Sequence, residues 1–315
     1  MLFVEKDLWI CIVLKHLFSD FKHKEHLVFK GGTSLSKGYN LIERFSEDID
    51  LSLSWKALNY TKEYVYQSRS NTKQEKFIKE LNDNIVILLK NEIIPFLEQK
   101  LSPILKDKEF KFYIDEKDEF NILFDYPKEY PVDSSILGII RLEIGKISEP
   151  IPAYQKTIRT YVSEFYSEEF DDEISVKIVD PLRTFYEKAT ILHREANRTN
   201  GNYPTKRYSR HYYDIYKMLE SNIGKRSFLE LKLLFDVVEF KKKFYRRNYA
   251  KYDEIYQGKL KLIPPGKALE IFSNDYKEMR TMIYGKAVSF DKIISVLQKY
   301  ENEINEQIKS FNNKN

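Results

Sequence analysis

The stretch Phe29-Lys30-Gly31-Gly32-Thr33-Ser34-Leu35, followed by Arg44-Phe45-Ser46-Glu47-Asp48-Ile49-Asp50-Leu51, decides the fold. The apolar run 26–30 reads as a short strand that runs straight into a Gly-Gly turn. Thr33 or Ser34 can cap a short helix through Lys37. The chain then returns over 48–53, where polar and apolar residues alternate as in a half-buried strand. Asp48 and Asp50 stand two apart, so on a strand they point to one side. Like charges on one face repel unless a cation lies between them, and Mg²⁺ favours a few carboxylates together with phosphate oxygens. Glycines let backbone approach a ligand closely, and a helix start offers N–H groups to anions. Gly31, Gly32, Thr33 and Ser34 are therefore candidate triphosphate ligands, and Asp48 and Asp50 candidate ligands of Mg²⁺ (or Mn²⁺). A phosphate cradle beside a metal-binding carboxylate pair is the minimum apparatus for phosphoryl or nucleotidyl transfer. A Gly-Gly pair alone is usually a turn, and an Asp-x-Asp strand end is usually solvated. The two together, in this order, are much more specific.

Upstream, residues 2 to about 20 read as a helix, with Trp9, Ile12, Val13, His16 and Leu17 at 3–4 spacing. Glu5, Lys6 and Asp7 precede the apolar run and no small-residue cleavage site follows, so this is a core-facing helix rather than a signal peptide. Downstream, 72 to about 105 reads as a helix that Pro95 kinks or breaks. A hairpin over 110–114 and 120–124 and a strand over 136–144 follow. Glu143 on that last strand is the best candidate for a third carboxylate, with Asp115, Asp118 and Asp125 as weaker rivals at strand ends or turns. After a strand at 174–179, Asp180-Pro181 is a strong helix start. The remainder reads as helices over 181–197, 207–221, 227–245, 266–283 and 288–310. The expected fold is α/β (α+β): a mixed twisted sheet in residues 1–180, then an α-helical domain over 181–315 closing the cleft.

The 315 residues carry 52 Lys+Arg against 48 Asp+Glu, a net charge of +4 that excludes a polybasic histone-like chain and an acidic solvating tail. Hydrophobic residues at 42% suffice for a core. The single cysteine, Cys11, excludes an internal disulfide and a cysteine-built zinc site; its apolar neighbours predict a buried, inert thiol and a reducing, cytoplasmic setting. No run reaches the ~18 apolar residues of a membrane span, so no membrane association is expected.

The cations are unevenly placed. Residues 240–252 hold six cations and five aromatics in thirteen positions. Lys241, Lys242, Lys243, Arg246 and Arg247 there, with Lys206, Arg207 and Arg210 in a second stretch, are candidate RNA contacts. The alternative is a solvated helix end with its aromatics turned inward.

The run FKGGTSLSKGYNLIERFSEDIDLSL over 29–53 resembles the DNA polymerase β-type nucleotidyltransferase signature. More narrowly it resembles the AbiEii/AbiGii family of abortive-infection toxins, the nucleotidyltransferase half of type IV toxin–antitoxin and phage-defence systems. Fifteen residues separate Gly32 from Asp48, more than in the tightest superfamily signatures, which favours the narrower family. The likeness covers roughly residues 25–220. It implies transfer of a nucleoside monophosphate from an NTP, with Glu143 as the third carboxylate. It also implies functional roles for Lys188, in the helical segment 187–194, and for Asp214, in 210–216. Lys188 lies on the edge of the stripe Leu182, Phe185, Ala189, Leu192 and Ala196, where a half-buried ammonium needs an anion. Asp214 either pairs with Arg210 four residues before it or, as the resemblance suggests, holds Lys188 or the nucleotide's surroundings. His211 departs from the family, which often has Asp there. The resemblance further implies the tRNA 3′ end as acceptor and a cognate antitoxin encoded alongside. The rival readings are nucleotidylation of a protein, a degenerate scaffold that only binds nucleotide or RNA, and a small-molecule transferase of the aminoglycoside type, which a basic apron disfavours.

Overall fold

The computed structural model describes residues 2–130, 138–145, 151–170, 172–199 and 201–313. Two units divide the chain: 1–39 with 46–180, and 40–45 with 181–315. The first begins with α1 (Leu2–Ser19), β1 (Leu27–Lys30), α2 (Gly31–Lys37) and β2 (Asp48–Leu53). It continues with α3 (Lys62–Tyr66), α4 (Asn71–Leu88), α5 (Ile94–Leu105), the hairpin β3 (Lys111–Asp115) and β4 (Asp118–Asp125), then β5 (Ile140–Gly145), β6 (Ala153–Ile158), α6 (Tyr161–Phe165) and β7 (Ile174–Val179).

These strands make one mixed sheet, ordered β3-β4-β5-β2-β1-β7-β6. Strand β2 is central, parallel to β5 and antiparallel to β1. Its alternation sends Ile49 and Leu51 to a buried face shared with Phe29, Leu142, Ile144, Ile122 and Phe124. Helix α1 packs on this side: Trp9 stacks edge-on against Phe124, and Ile10, Val13, Leu14 and Leu17 are buried. Cys11 is buried in the same helix, and burial pushes its thiol well above the usual range.

Three expectations are corrected. Thr33 and Ser34 do not cap α2, because Lys30 is the N-cap and both lie inside the helix. Pro95 does not end the long helix; a π-turn at Leu89–Ile93 shifts the ladder, and the proline falls in the first turn of α5, where its missing N–H does little harm. The expected strand over 136–144 is Ile140–Gly145, with 136 and 137 outside the described residues. Strand β6 was not readable: it is a sheet edge with four successive exposed residues and no alternation to betray it.

The second unit holds α7 (Pro181–Ala196), α8 (Arg210–Leu219), α9 (Asn222–Leu229), α10 (Leu231–Phe244), α11 (Gly266–Met279) and α12 (Phe290–Asn312). Helix α8 starts later than the pattern predicts. The carboxylate of Asp275 accepts the N–H groups of Arg207 and Ser209, and Arg207 adopts a left-handed φ of 55°. The expected helix over 227–245 is two helices broken at Glu230. Residues 40–45 join this unit through an antiparallel bridge between Arg44 and Ile283. No described helix is long and apolar enough to cross a membrane.

Candidate active site

In the sheet unit, Asp48 and Asp50 occupy the face of β2 opposite Ile49 and Leu51 and are half-buried. Strand register extends this polar face sideways. Asp50 is paired with Lys30 on one side and Glu143 on the other, and Glu143 with Asn121 beyond. Neighbours in register project from the same face, so Lys30, Asp50, Glu143 and Asn121 form one row across four strands. Asp48 is paired with Arg141 in the adjoining row. Glu143 is exposed and makes no ion pair among the described residues. Among the described residues the buried amide oxygen of Asn121, beside Glu143 in register, has no hydrogen-bond partner. Asp115, Asp118 and Asp125 lie at the ends of the β3–β4 hairpin, outside this row. Lys30 and Asn121 are residues that sequence reasoning passed over. Lys30 stands at the strand end before the Gly-Gly pair, which was the available signal.

The Gly-Gly entry is built around Asp50. Gly31 has φ +78°, and a Cβ there would lie 1.8 Å from Asp50 Oδ2. The carboxylate thus packs against bare backbone. The hydroxyls of Thr33 and Ser34 face inward: Thr33 Oγ1 donates to the Asp48 carbonyl at 2.5 Å and Ser34 Oγ to the Gly31 carbonyl at 3.0 Å. They brace the two strand ends, and what this turn can offer a phosphate is backbone N–H.

Helix α1 braces the motif from the other side. Glu5 accepts the Glu129 N–H at 2.7 Å, Lys6 Nζ pairs with Glu47 at 2.7 Å, and Asp7 pairs with Lys37 at 2.6 Å. Lys6 and Glu47 are almost fully buried, and Glu47 is the residue before Asp48. Removing one partner of such a pair strands a buried charge. Lys6→Met is therefore expected to lower unfolding free energy by about 3–5 kcal/mol in urea melts, and Lys6→Met with Glu47→Met to recover most of it. A loss below about 1 kcal/mol, the value of exposed pairs, contradicts this.

In the helical unit, Asp214 on α8 is fully buried between two cations. Arg44 donates to it as a fork, Nε to Oδ1 at 2.7 Å and Nη2 to Oδ2 at 2.8 Å, while Lys188 Nζ on α7 lies 2.9 Å from Oδ2. Burial opposes the charge of Asp214, but Arg44 and then Lys188 hold its carboxyl well below the usual carboxylate range. Burial lowers the Lys188 ammonium, Asp214 draws it back, and Arg44 and Arg210 lower it again. Asp214 is the sole acceptor of Lys188 among the described residues, which leaves two of its three N–H donors available. His211 is kept neutral, by burial first and then by Lys188 and Arg210, and its buried Nδ1 has no partner among the described residues.

Phe240 and Phe244 turn into the core of the helical unit, as does Tyr252. The aromatics of the 240–252 stretch are thus largely packing groups rather than stacking platforms. Lys242 is paired with Glu239 and Asp253; Lys206, Arg246 and Arg247 are exposed, and Lys241, Lys243, Arg207 and Arg210 are half-buried.

A strand, a Gly-Gly helix entry and a second strand with paired carboxylates are the parts that phosphoryl or nucleotidyl transfer calls for. The sequence matches the family described as nucleotidyl transferase AbiEii toxin, type IV toxin–antitoxin system, over residues 12–296, and the chain belongs to that family. It is a nucleotidyltransferase toxin, with an NTP substrate and an antitoxin partner implied by the family. Among solved structures it is similar to MenT4, a nucleotidyltransferase toxin from Mycobacterium tuberculosis H37Rv, at 14% identity over 97% of this chain and 93% of that one, with a TM-score of 0.42. It is also similar to JHP933 from Helicobacter pylori, at 13% identity over 98% of this chain and 96% of that one, with a TM-score of 0.38. No curated protein matches the sequence.

Proposed function

We propose that this toxin carries out divalent-metal-dependent transfer of a nucleoside monophosphate from an NTP to the 3′-terminal hydroxyl of tRNA. The acceptor oxygen bonds to the α-phosphorus as the bond to the β-phosphate oxygen breaks, and pyrophosphate leaves. The observation that carries this reading is the open row in which Asp50 and Glu143 stand side by side, with Asp48 on the same face. Mg²⁺ is usually held by one or two carboxylates, water and substrate phosphates rather than by a closed protein cage. This donor set fits such an ion. Among the described residues, no three His, Cys, Asp or Glu groups enclose a metal by themselves. Asp48 and Asp50 would hold the ion, which when bound neutralises triphosphate charge and acidifies the acceptor hydroxyl. Glu143, exposed and beside Asp50 in register, would accept the acceptor's proton. In the sheet unit the backbone of Gly31 and Gly32 would take the phosphates; in the helical unit Lys188, with two donors to give, would answer negative charge.

Lys206, Arg207, Arg210, Lys241, Lys242, Lys243, Arg246 and Arg247 would track the RNA backbone, the exposed Arg246 and Arg247 most directly. Arg246→Gln with Arg247→Gln is expected to lower the salt slope of RNA binding by roughly 2, one per lost phosphate contact, in filter-binding titrations. An unchanged slope removes this patch from the RNA face.

The test is incubation with labelled NTPs, Mg²⁺ and total RNA, beside Asp48→Ala/Asp50→Ala protein. Label on RNA from the wild type alone supports the reading. Label on protein replaces tRNA with a protein acceptor, and label on neither overturns transfer.

A further inference from the structure

We propose that Arg44 is a positioning residue: it fixes the carboxylate of Asp214 so that Lys188 presents its ammonium in one direction. The inference rests on the transfer reading above and adds to it a residue that the carboxylate motif does not include.

The geometry is specific. Arg44 is 3% exposed, Asp214 0% and Lys188 7%. The guanidinium grips both oxygens of Asp214 and also donates from Nη1 to the Phe45 carbonyl at 3.2 Å. A fork fixes the plane of a carboxylate, which a single ammonium cannot do. Asp214 Oδ2 then accepts both Arg44 Nη2 and Lys188 Nζ, so the rotamer that Arg44 selects sets the anchor of the lysine.

The backbone that delivers Arg44 is itself pinned. Arg44 bridges Ile283, the Phe45 N–H donates to the Met282 carbonyl at 2.8 Å, and the Tyr284 N–H donates to the Glu43 carbonyl at 3.0 Å. Lys217 adds an ion pair to Glu43 at 3.2 Å. The six-residue segment 40–45 thus behaves as a strap whose function is to carry one guanidinium to α8.

Charge bookkeeping points the same way. Arg44 and Lys188 together outnumber the one carboxylate between them, with Arg210 nearby and His211 neutral. Buried excess positive charge is unfavourable alone and favourable once an anion arrives. Arg44 commits at least three of its five N–H donors to protein acceptors, with its fork spent on Asp214, whereas Lys188 commits one of three, so Lys188 is the better placed of the two to answer that anion. Arg44 therefore acts through Lys188 rather than on the nucleotide.

The test is a double-mutant cycle on label transfer, with kcat and KM for the NTP and a thermal midpoint for each protein. Arg44→Lys keeps the charge and loses the fork. It is expected to fold with a midpoint near that of the wild type, to keep the KM within a few-fold, and to lose about 10²-fold in kcat, as a misplaced group does. Lys188→Ala loses at least as much, and Arg44→Lys/Lys188→Ala is expected to be no worse than Lys188→Ala alone. A merely structural role would instead multiply the two losses and depress the midpoint in parallel. Arg44→Lys with wild-type kcat, or multiplicative losses, overturns the assignment of Arg44 alone. Wild-type protein that transfers no label overturns the transfer reading and the assignment with it.

Discussion

Asp48→Asn with Asp50→Asn is expected to lower the nucleotide-transfer rate about 10³-fold while the protein stays folded. The substitution keeps size and shape and removes only charge. The strand is held by its other face, where Ile49 and Leu51 are fully buried, and by pairing to β1 and β5 on both sides. What is lost is the anionic platform for a divalent ion. Charge stabilisation of a transferring phosphoryl group is worth several kcal/mol, and about 4 kcal/mol corresponds to roughly 10³ in rate. The measurement is steady-state label transfer over a Mg²⁺ titration, with circular dichroism to confirm folding. If carboxylates hold the ion, added Mg²⁺ restores little of the lost rate. A variant that transfers at the wild-type rate would remove Asp48 and Asp50 from the chemistry.

Much of this site was legible because local sequence dictates it. Period-two alternation marks β2 and β7, and Asp180-Pro181 marks the start of α7 within one residue. The carboxylate pair follows directly from that alternation. Arg44 was quoted as part of the motif without a role, because its partner lies 170 positions away and no local spacing connects them. A charged residue between Ile42 and Phe45, both buried, was the only hint that it too goes inside. The Glu5-Lys6-Asp7 run speaks in sequence only against a signal peptide, whereas each side chain is a buried brace for a distant element. Phe240 and Phe244 are a different case. They stand four apart on α10 and the buried Val237 lies three before Phe240, so their inward direction is available from helical period. The density of cations around them drew the reading toward bases.

Gly31→Ala is expected to damage both stability and transfer, and to damage transfer more. Two separate conflicts arise at this position. A φ of +78° is strained for any residue with a Cβ, and the added carbon would lie 1.8 Å from Asp50 Oδ2, 2.5 Å from Cγ and 2.7 Å from Cβ. A rotamer change in Asp50 moves the carboxylate but leaves its Cβ in conflict, so the backbone at the junction of β1 and α2 must shift as well. Strained backbone and overpacking each contribute about 1–3 kcal/mol, which places the stability loss at roughly 2–6 kcal/mol in denaturant melts. The effect on chemistry adds to this. Asp50 stands in the row with Glu143, and displacement of a positioned group by about 1 Å can reduce a rate by 10²-fold. Asp50→Ala separates the two conflicts. In the Gly31→Ala background it removes the contacts at Oδ2 and Cγ, and it is expected to recover part of the stability while leaving transfer abolished. The φ strain and the Cβ contact remain, so recovery is incomplete. If Gly31→Ala retains wild-type stability and rate, the carboxylate of Asp50 does not rest against the Gly31 backbone in solution. If the Asp50→Ala change recovers no stability at all, backbone strain alone explains the requirement for glycine at this turn.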